Sequence, residues 1–283
     1  MAAAAGSFEV GPAPVIRGEA GGEGPPILLC HGITASRGYV VHGSKALERA
    51  GHAVVTYDAR GHGESDPAPA GEGYGYPSLV ADLARVVDAR VGGGRFVLGG
   101  HSMGAHTAVA YALRHPRRLA GLVVVGPVYT GTVSPRSLEY WDGLAAALEE
   151  DGIDGFLAYI EREQGIAPAW RDSVLRFTRA RLELHRDLGA VVEALRQVPR
   201  SRPFGSLEEL RALGVPALVV ASGDEADPGH PYDAAEAYAR ELPAAKLISE
   251  GEGESPLAWQ GGKLSREIAA FCAEPAVAER WAV

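Results

Sequence analysis

The stretch Arg95-Phe96-Val97-Leu98-Gly99-Gly100-His101-Ser102-Met103-Gly104-Ala105 decides the fold. A short apolar run leads into a glycine-bounded turn, and a helical pattern starts directly after it. The turn Gly100-His101-Ser102-Met103-Gly104 fits G-x-S-x-G. Glycine at both ends permits a bend too sharp for a Cβ. Such a bend lifts the serine hydroxyl clear of the sheet and leaves the following amide N–H free to meet an oxyanion. Small residues also make ordinary strand-to-helix turns, so the flanking chain has to supply the context.

Working outward, Pro26-Ile27-Leu28-Leu29-Cys30, His52-Ala53-Val54-Val55-Thr56-Tyr57 and Leu122-Val123-Val124-Val125 read as strands, as do Pro216 to Ala221 and Ala245 to Ser249. Their continuous apolar character suits strands buried on both faces. Phe8 to Glu19 reads as one or two edge strands. Helical spacing is expected over Ser36 to Ala50, closed by Gly51, over Tyr76 to Val91 and over Met103 to Arg114. It returns over Asp233 to Leu242 and Lys263 to Phe271. Strands alternating with helices imply right-handed βαβ units and a mainly parallel sheet flanked by helices. From about Tyr129 to Pro203 no strand is convincing, and helical segments run over Ser137 to Leu148, Gly155 to Glu163, Trp170 to His185 and Leu188 to Val198. The expected organisation is therefore a core of residues 1–128 and 204–283 with a helical cap inserted at 129–203.

With 283 residues the chain can bury a sizeable core, and its 46% hydrophobic and 22% charged residues are those of a globular protein. A net charge of −9 argues against nucleic acid and anionic membranes as partners. The two cysteines, Cys30 and Cys272, are too few for a disulfide framework, and Cys30 falls in a strand pattern as a small apolar residue. Met1 to Gly6 lacks a basic, apolar leader, and no run approaches a membrane span, so a cytoplasmic location is expected. No phosphate loop, zinc spacing or dinucleotide fingerprint is present, so no cofactor and no metal are expected.

Four landmarks in chain order resemble the α/β-hydrolase family: His31-Gly32 after a buried strand, Asp58-x-Arg60-Gly61-x-Gly63-x-Ser65, the Ser102 turn, and Gly223-Asp224-Glu225-Ala226-Asp227-Pro228-Gly229-His230-Pro231. The resemblance covers nearly the whole chain and implies an α/β-hydrolase fold. It implies that Ser102 is the nucleophile, that Ile33 and Met103 N–H form the oxyanion hole, and that Asp227 is the triad acid with Asp224 as fallback.

One landmark departs from the family. Its histidine follows the last strand, where this chain has Gly251-Glu252-Gly253-Glu254-Ser255-Pro256, and no histidine follows His230. Glu254 occupies the place of the base. Imidazole can take a serine proton near neutral pH, whereas an ordinary glutamate, with a pKa of about 4.3, is far weaker. Packing by Trp259, or closeness to Asp227, would raise the pKa of Glu254.

Three accounts stand: Glu254 acts as base, another histidine enters (His230 first, His185 more remotely), or hydrolysis is lost. His31 and His101 read as structural, and Arg60 as an anchor of its loop. Glu250 and Glu252 fit a solvated loop. Tyr129, Trp141, Tyr159 and Trp170 are core or pocket aromatics. The expected function is a serine hydrolase-like enzyme using Ser102, Asp227 and Glu254 on a small, uncharged, apolar ester, thioester or lactone, with low or atypical activity. The rival is a non-hydrolytic catalyst, such as a cyclase, or a ligand-binding protein on the same fold. Oligomeric state is not encoded in these features.

Overall fold

A computed structural model describes residues 6–223 and 226–281. Asp224, the fallback acid, and the Met1 to Ala5 segment lie outside the described residues. The chain forms one eight-stranded sheet of order β1-β2-β4-β3-β5-β6-β7-β8. In chain order these are β1 (Gly6–Val10), β2 (Ile16–Gly21), β3 (Pro26–Cys30), β4 (Ala53–Tyr57), β5 (Phe96–His101), β6 (Leu119–Val125), β7 (Ala217–Val220) and β8 (Ala245–Ile248). β2 is antiparallel to β1 and to β4, and every pair from β4 through β8 is parallel. The central strands β6 and β7 bury every residue on both faces, which explains their unbroken apolar runs.

The helices are α1 (Ala46–Arg49), α2 (Tyr76–Arg90), α3 (Met103–Arg114), α4 (Pro135–Glu163), α5 (Pro168–Leu182), α6 (Leu188–Gln197), α7 (Tyr232–Glu241), α8 (Gly261–Ala273) and α9 (Pro275–Trp281). The helix expected over Ser36 to Ala50 reduces to a 3-10 turn at Arg37–Tyr39 and the short α1. His42 and Gly43 between them both have positive φ, 47° and 70°, which an α-helix does not accept. The first two helical segments expected after β6 run end to end as α4, broken at Gly152 (φ 63°, ψ −151°). Helices α4 to α6 bury an apolar cluster of their own, including Leu144, Leu148, Phe156, Ile160, Val191 and Leu195.

The chain leaves β3 for β4 on one side of it and later returns to β5 on the other. Beyond the carboxyl ends of β3 and β5 a crevice therefore opens, the usual place for a ligand in such a sheet. The His31 loop and Ser102 emerge there side by side.

Candidate active site

The Ser102 turn is as tight as its glycines imply. Ser102 has φ 52° and ψ −115°, a conformation that L residues rarely adopt and that persists where the surrounding structure enforces it. Its N–H donates to the Val125 carbonyl at 2.9 Å, and its carbonyl accepts from His106 N–H at 3.0 Å. A Cβ at Gly100 would overlap the Gly104 backbone, and one at Gly104 would overlap the Cys30 carbonyl and lie 2.6 Å from His31 O. The glycines thus press the start of α3 onto the end of β3. Met103 opens α3, so its N–H is one of the first-turn amides without an intrahelical acceptor. Ile33 N–H, on the facing loop, has no hydrogen-bond partner among the described residues. Both amides stay available for a negative charge at a helix N-terminus.

A cavity of about 740 Å³ opens here between the strand ends and helices α4 and α5. Gly32, Ile33, His101, Ser102, Asp227 and His230 line its floor, and Tyr140, Trp141, Leu144, Phe156 and Ile160 line its roof. Of the aromatics singled out from sequence after β6, Trp141 reaches the cavity. Tyr129 instead donates its hydroxyl hydrogen bonds to the Gly131 and Phe204 carbonyls in the core. Trp259 lines the cavity and meets Trp170 edge to face at 6.1 Å.

Asp227 and His230 form the charged centre of the cavity. Asp227-Pro228-Gly229-His230 is a β-turn closed by His230 N–H to the Asp227 carbonyl at 3.0 Å, with proline and glycine at its centre. The turn brings both side chains to the same side, and His230 Nδ1 lies 2.9 Å from each carboxylate oxygen of Asp227. A carboxylate only accepts, so Nδ1 carries a proton and donates it toward Asp227. Burial pushes the Asp227 carboxyl up, but the His230 ring beside it and hydrogen-bonded to it, with His101 and the Arg181 guanidinium nearby, holds it below its ordinary value. The anion is therefore the resting form.

His101 does not hide beneath the turn, as its reading as structural requires. Its ring packs at 4.8 Å from the His230 ring and lines the cavity, and its buried Nε2 has no hydrogen-bond partner among the described residues. Burial, reinforced by His230, drives its pKa well below the ordinary value, so it is neutral. No hydrogen bond joins Ser102 Oγ to a histidine among the described residues. Such bonds are often long in free enzymes and tighten with substrate.

The structure does not bring Glu254 into this group. Its carboxylate accepts from Lys263 Nζ at 2.5 Å and from Gly251 N–H at 3.1 Å, half-exposed at the surface and away from the cavity lining. Lys263, then the Gly251 amide, holds its pKa below the ordinary value, the reverse of the rise expected from Trp259 or Asp227. The physical reason is local: Lys263 in the first turn of α8 is a nearer and better-solvated partner than anything in the cavity. Glu250 is the structural member of the acidic run. It accepts from Gly223 N–H at 2.5 Å and Leu257 N–H at 2.8 Å, tying the loop after β8 to the loop after β7.

Three further polar residues hold loops in place. His31 Nε2 accepts from Ala59 N–H at 2.9 Å, and Nδ1 donates to Gly32 O at 2.7 Å. His185 accepts from Gly63 N–H and donates to Thr34 O, outside the cavity. Arg60 is an anchor, paired with Asp82 at 2.6 Å and bonded to Gly73 O. Among the described residues no group of three or more His, Cys, Asp or Glu is placed to hold a metal, and no helix is long and apolar enough to cross a membrane.

The pattern of the alpha/beta hydrolase fold family matches residues 25–260, and the chain belongs to that family as a hydrolase-like enzyme. Over 234 residues it is 29% identical to a putative carbamate hydrolase, RutD, of Agrobacterium fabrum, covering 82% of this chain and 86% of that one. Over 109 residues it is 36% identical to epoxide hydrolase B of Mycobacterium tuberculosis, covering 38% of this chain and 30% of that one. A thermophilic esterase from Thermogutta terrifontis superposes with a TM-score of 0.73 at 23% identity, covering 94% of this chain and 98% of its own. The enol-lactonase from Burkholderia xenovorans superposes with a TM-score of 0.73 at 20% identity, covering 92% and 97%. At these identities the two superpositions speak to the fold.

Proposed function

We propose that the protein hydrolyses a small carboxylic ester, thioester or lactone through Ser102, with His230 as general base held by Asp227. The observation that carries this reading is the Asp227–His230 pair, bonded through Nδ1 inside the cavity that Ser102 lines. In this scheme Nε2 of His230 takes the Ser102 proton as Oγ attacks the acyl carbon. The ring then returns that proton to the departing alkoxide or thiolate, and water repeats the sequence on the acyl-enzyme. Asp227 fixes the ring and stabilises the imidazolium. Ile33 and Met103 N–H face the tetrahedral oxyanion, where each donor contributes on the order of 3 kcal/mol. Residues 129–203 act as the cap that closes the acyl pocket. Glu254 takes no part, which replaces the Ser102–Asp227–Glu254 set expected from sequence.

A fluorophosphonate probe followed by peptide mass spectrometry tests this directly. Ser102 should be labelled in the native protein and in Glu254→Gln, and labelling should slow by at least about a hundredfold in His230→Gln. Among the described residues no hydrogen bond joins Ser102 Oγ to a histidine, which favours the rival, a non-hydrolytic or ligand-binding protein. Failure of Ser102 to label in the native protein would establish that rival.

A further inference from the structure

Arg181 is a charged side chain of the cavity roof that this scheme leaves unused. It lies on α5 in phase with Val174, Phe177 and Thr178, and all four line the cavity. That spacing, i, i+3, i+4 and i+7, puts the four on one face of the helix, the face toward the cavity, with Thr178 buried, Val174 and Arg181 partly buried and Phe177 half-exposed at the rim. The neighbouring arginine Arg179 points outward and pairs with Asp154.

Arg181 forms no ion pair among the described residues. Its Nε is buried without a hydrogen-bond partner. The remaining polar contact of the side chain is a long bond from Nη2 to Thr178 Oγ1, 3.4 Å, one turn back. Both carboxylates that line the cavity are already engaged: Asp227 by His230 at 2.9 Å, and Glu163 by Arg162 at 2.7 Å. Asp227 and Tyr39 act on Arg181 only through space, while burial works against its charge. Arg181 is partly buried, with Nε shut off from solvent and the rest of the fork facing the cavity, and a guanidinium so placed gains from a partner that completes its hydrogen bonds. Its planar fork of N–H donors is the geometric match of a carboxylate.

We propose that Arg181 binds a carboxylate on the substrate, so that this site takes acyl compounds carrying a second, ionised carboxyl group, such as half-esters, half-thioesters or lactones of dicarboxylic acids. The proposal rests on the Ser102 reading for which bond breaks, and not for the anion site itself. It replaces the expectation of an uncharged substrate. The anion is held from the roof by α5, and the reacting carbonyl is held on the floor between Ile33 and Met103.

Two measurements separate this assignment from the hydrolase reading. The first compares the mono-4-nitrophenyl ester of glutarate with 4-nitrophenyl valerate, which matches it in chain length and lacks the charge. Arg181→Met should lower kcat/KM for the glutarate ester by about ten- to a hundredfold, mainly through KM, and change the valerate ester less than about threefold. Arg181→Lys should fall between. The second uses Ser102→Ala, which needs no turnover. Glutarate should raise its melting temperature, neutral glutaramide should not, and adding Arg181→Met should abolish the glutarate effect. Should Arg181→Met fail to fold, Arg181→Lys carries the comparison, and glutarate should stabilise it less than the parent. Parallel loss on both esters, or equal glutarate stabilisation with and without Arg181, would overturn the proposal. Absence of turnover on both esters with an Arg181-dependent glutarate shift would sink the hydrolase reading and leave the anion site standing.

Discussion

Both carboxylate oxygens of Asp227 lie 2.9 Å from Nδ1 of His230, across a single β-turn. In the proposed mechanism acid and base come from one loop, whereas the family resemblance implies a histidine after the last strand. The consequence is a base whose orientation depends on four consecutive residues. Asp227→Asn keeps the size of the side chain but lets an amide face the ring, which can invert the tautomer and place the proton on Nε2. Activity should drop by at least about a hundredfold, with KM little changed. Steady-state kinetics on 4-nitrophenyl esters measures this, and a loss below about threefold would remove Asp227 from the machinery.

The buried histidines make stability depend on acid. Burial pushes His106 down to about 3 and His185 down to about 4. An unfolded histidine titrates near 6.5. Above that value neither state binds the proton, and stability is fully present. As pH falls below it the unfolded chain takes up protons that the folded chain refuses, so stability is lost progressively toward pH 4 and, for His106, pH 3. Each site contributes up to about 1.4 kcal/mol per pH unit in that window. Urea unfolding between pH 7.5 and 5 should show the decline, and His106→Gln should flatten it by about that amount. An unchanged slope in the variant would contradict the assignment.

Gly104 is held by contact as well as by the turn. A Cβ there would overlap the Cys30 carbonyl and lie 2.6 Å from His31 O, both backbone atoms with little room to yield. Gly104→Ala should cost on the order of 1–3 kcal/mol in urea unfolding. It should also lower kcat far more than that loss of folded protein explains, because it parts Met103 from the His31 loop. Native-like kcat in the folded variant would show that this packing does not set the site.

Much of the fold is legible in the residues themselves. Runs such as Leu122 to Val125 are unbroken because both faces are covered, and the Ser102 turn follows from its two glycines. The departures have local causes. Val40 to Gly43 carries apolar residues at tolerable spacing, but His42 and Gly43 take a left-handed backbone that ends any helix. Glu254 stands in the right place after the last strand, yet its partner, Lys263, comes from the following helix and draws it to the surface. The signal for His230 lies in Asp-Pro-Gly-His, a turn sequence that places its first and fourth side chains together. The signal for the proposed Arg181 site is a charge in phase with Val174 and Thr178 on the cavity face of α5.

The central claim is that His230, and not Glu254, serves Ser102. Measuring kcat/KM for His230→Gln and Glu254→Gln side by side, on one ester and with folded protein confirmed by melting temperature, tests it most directly. The account predicts a loss of at least about a hundredfold for His230→Gln and less than about twofold for Glu254→Gln. The opposite ranking, with Glu254→Gln inactive and His230→Gln near native, would contradict it.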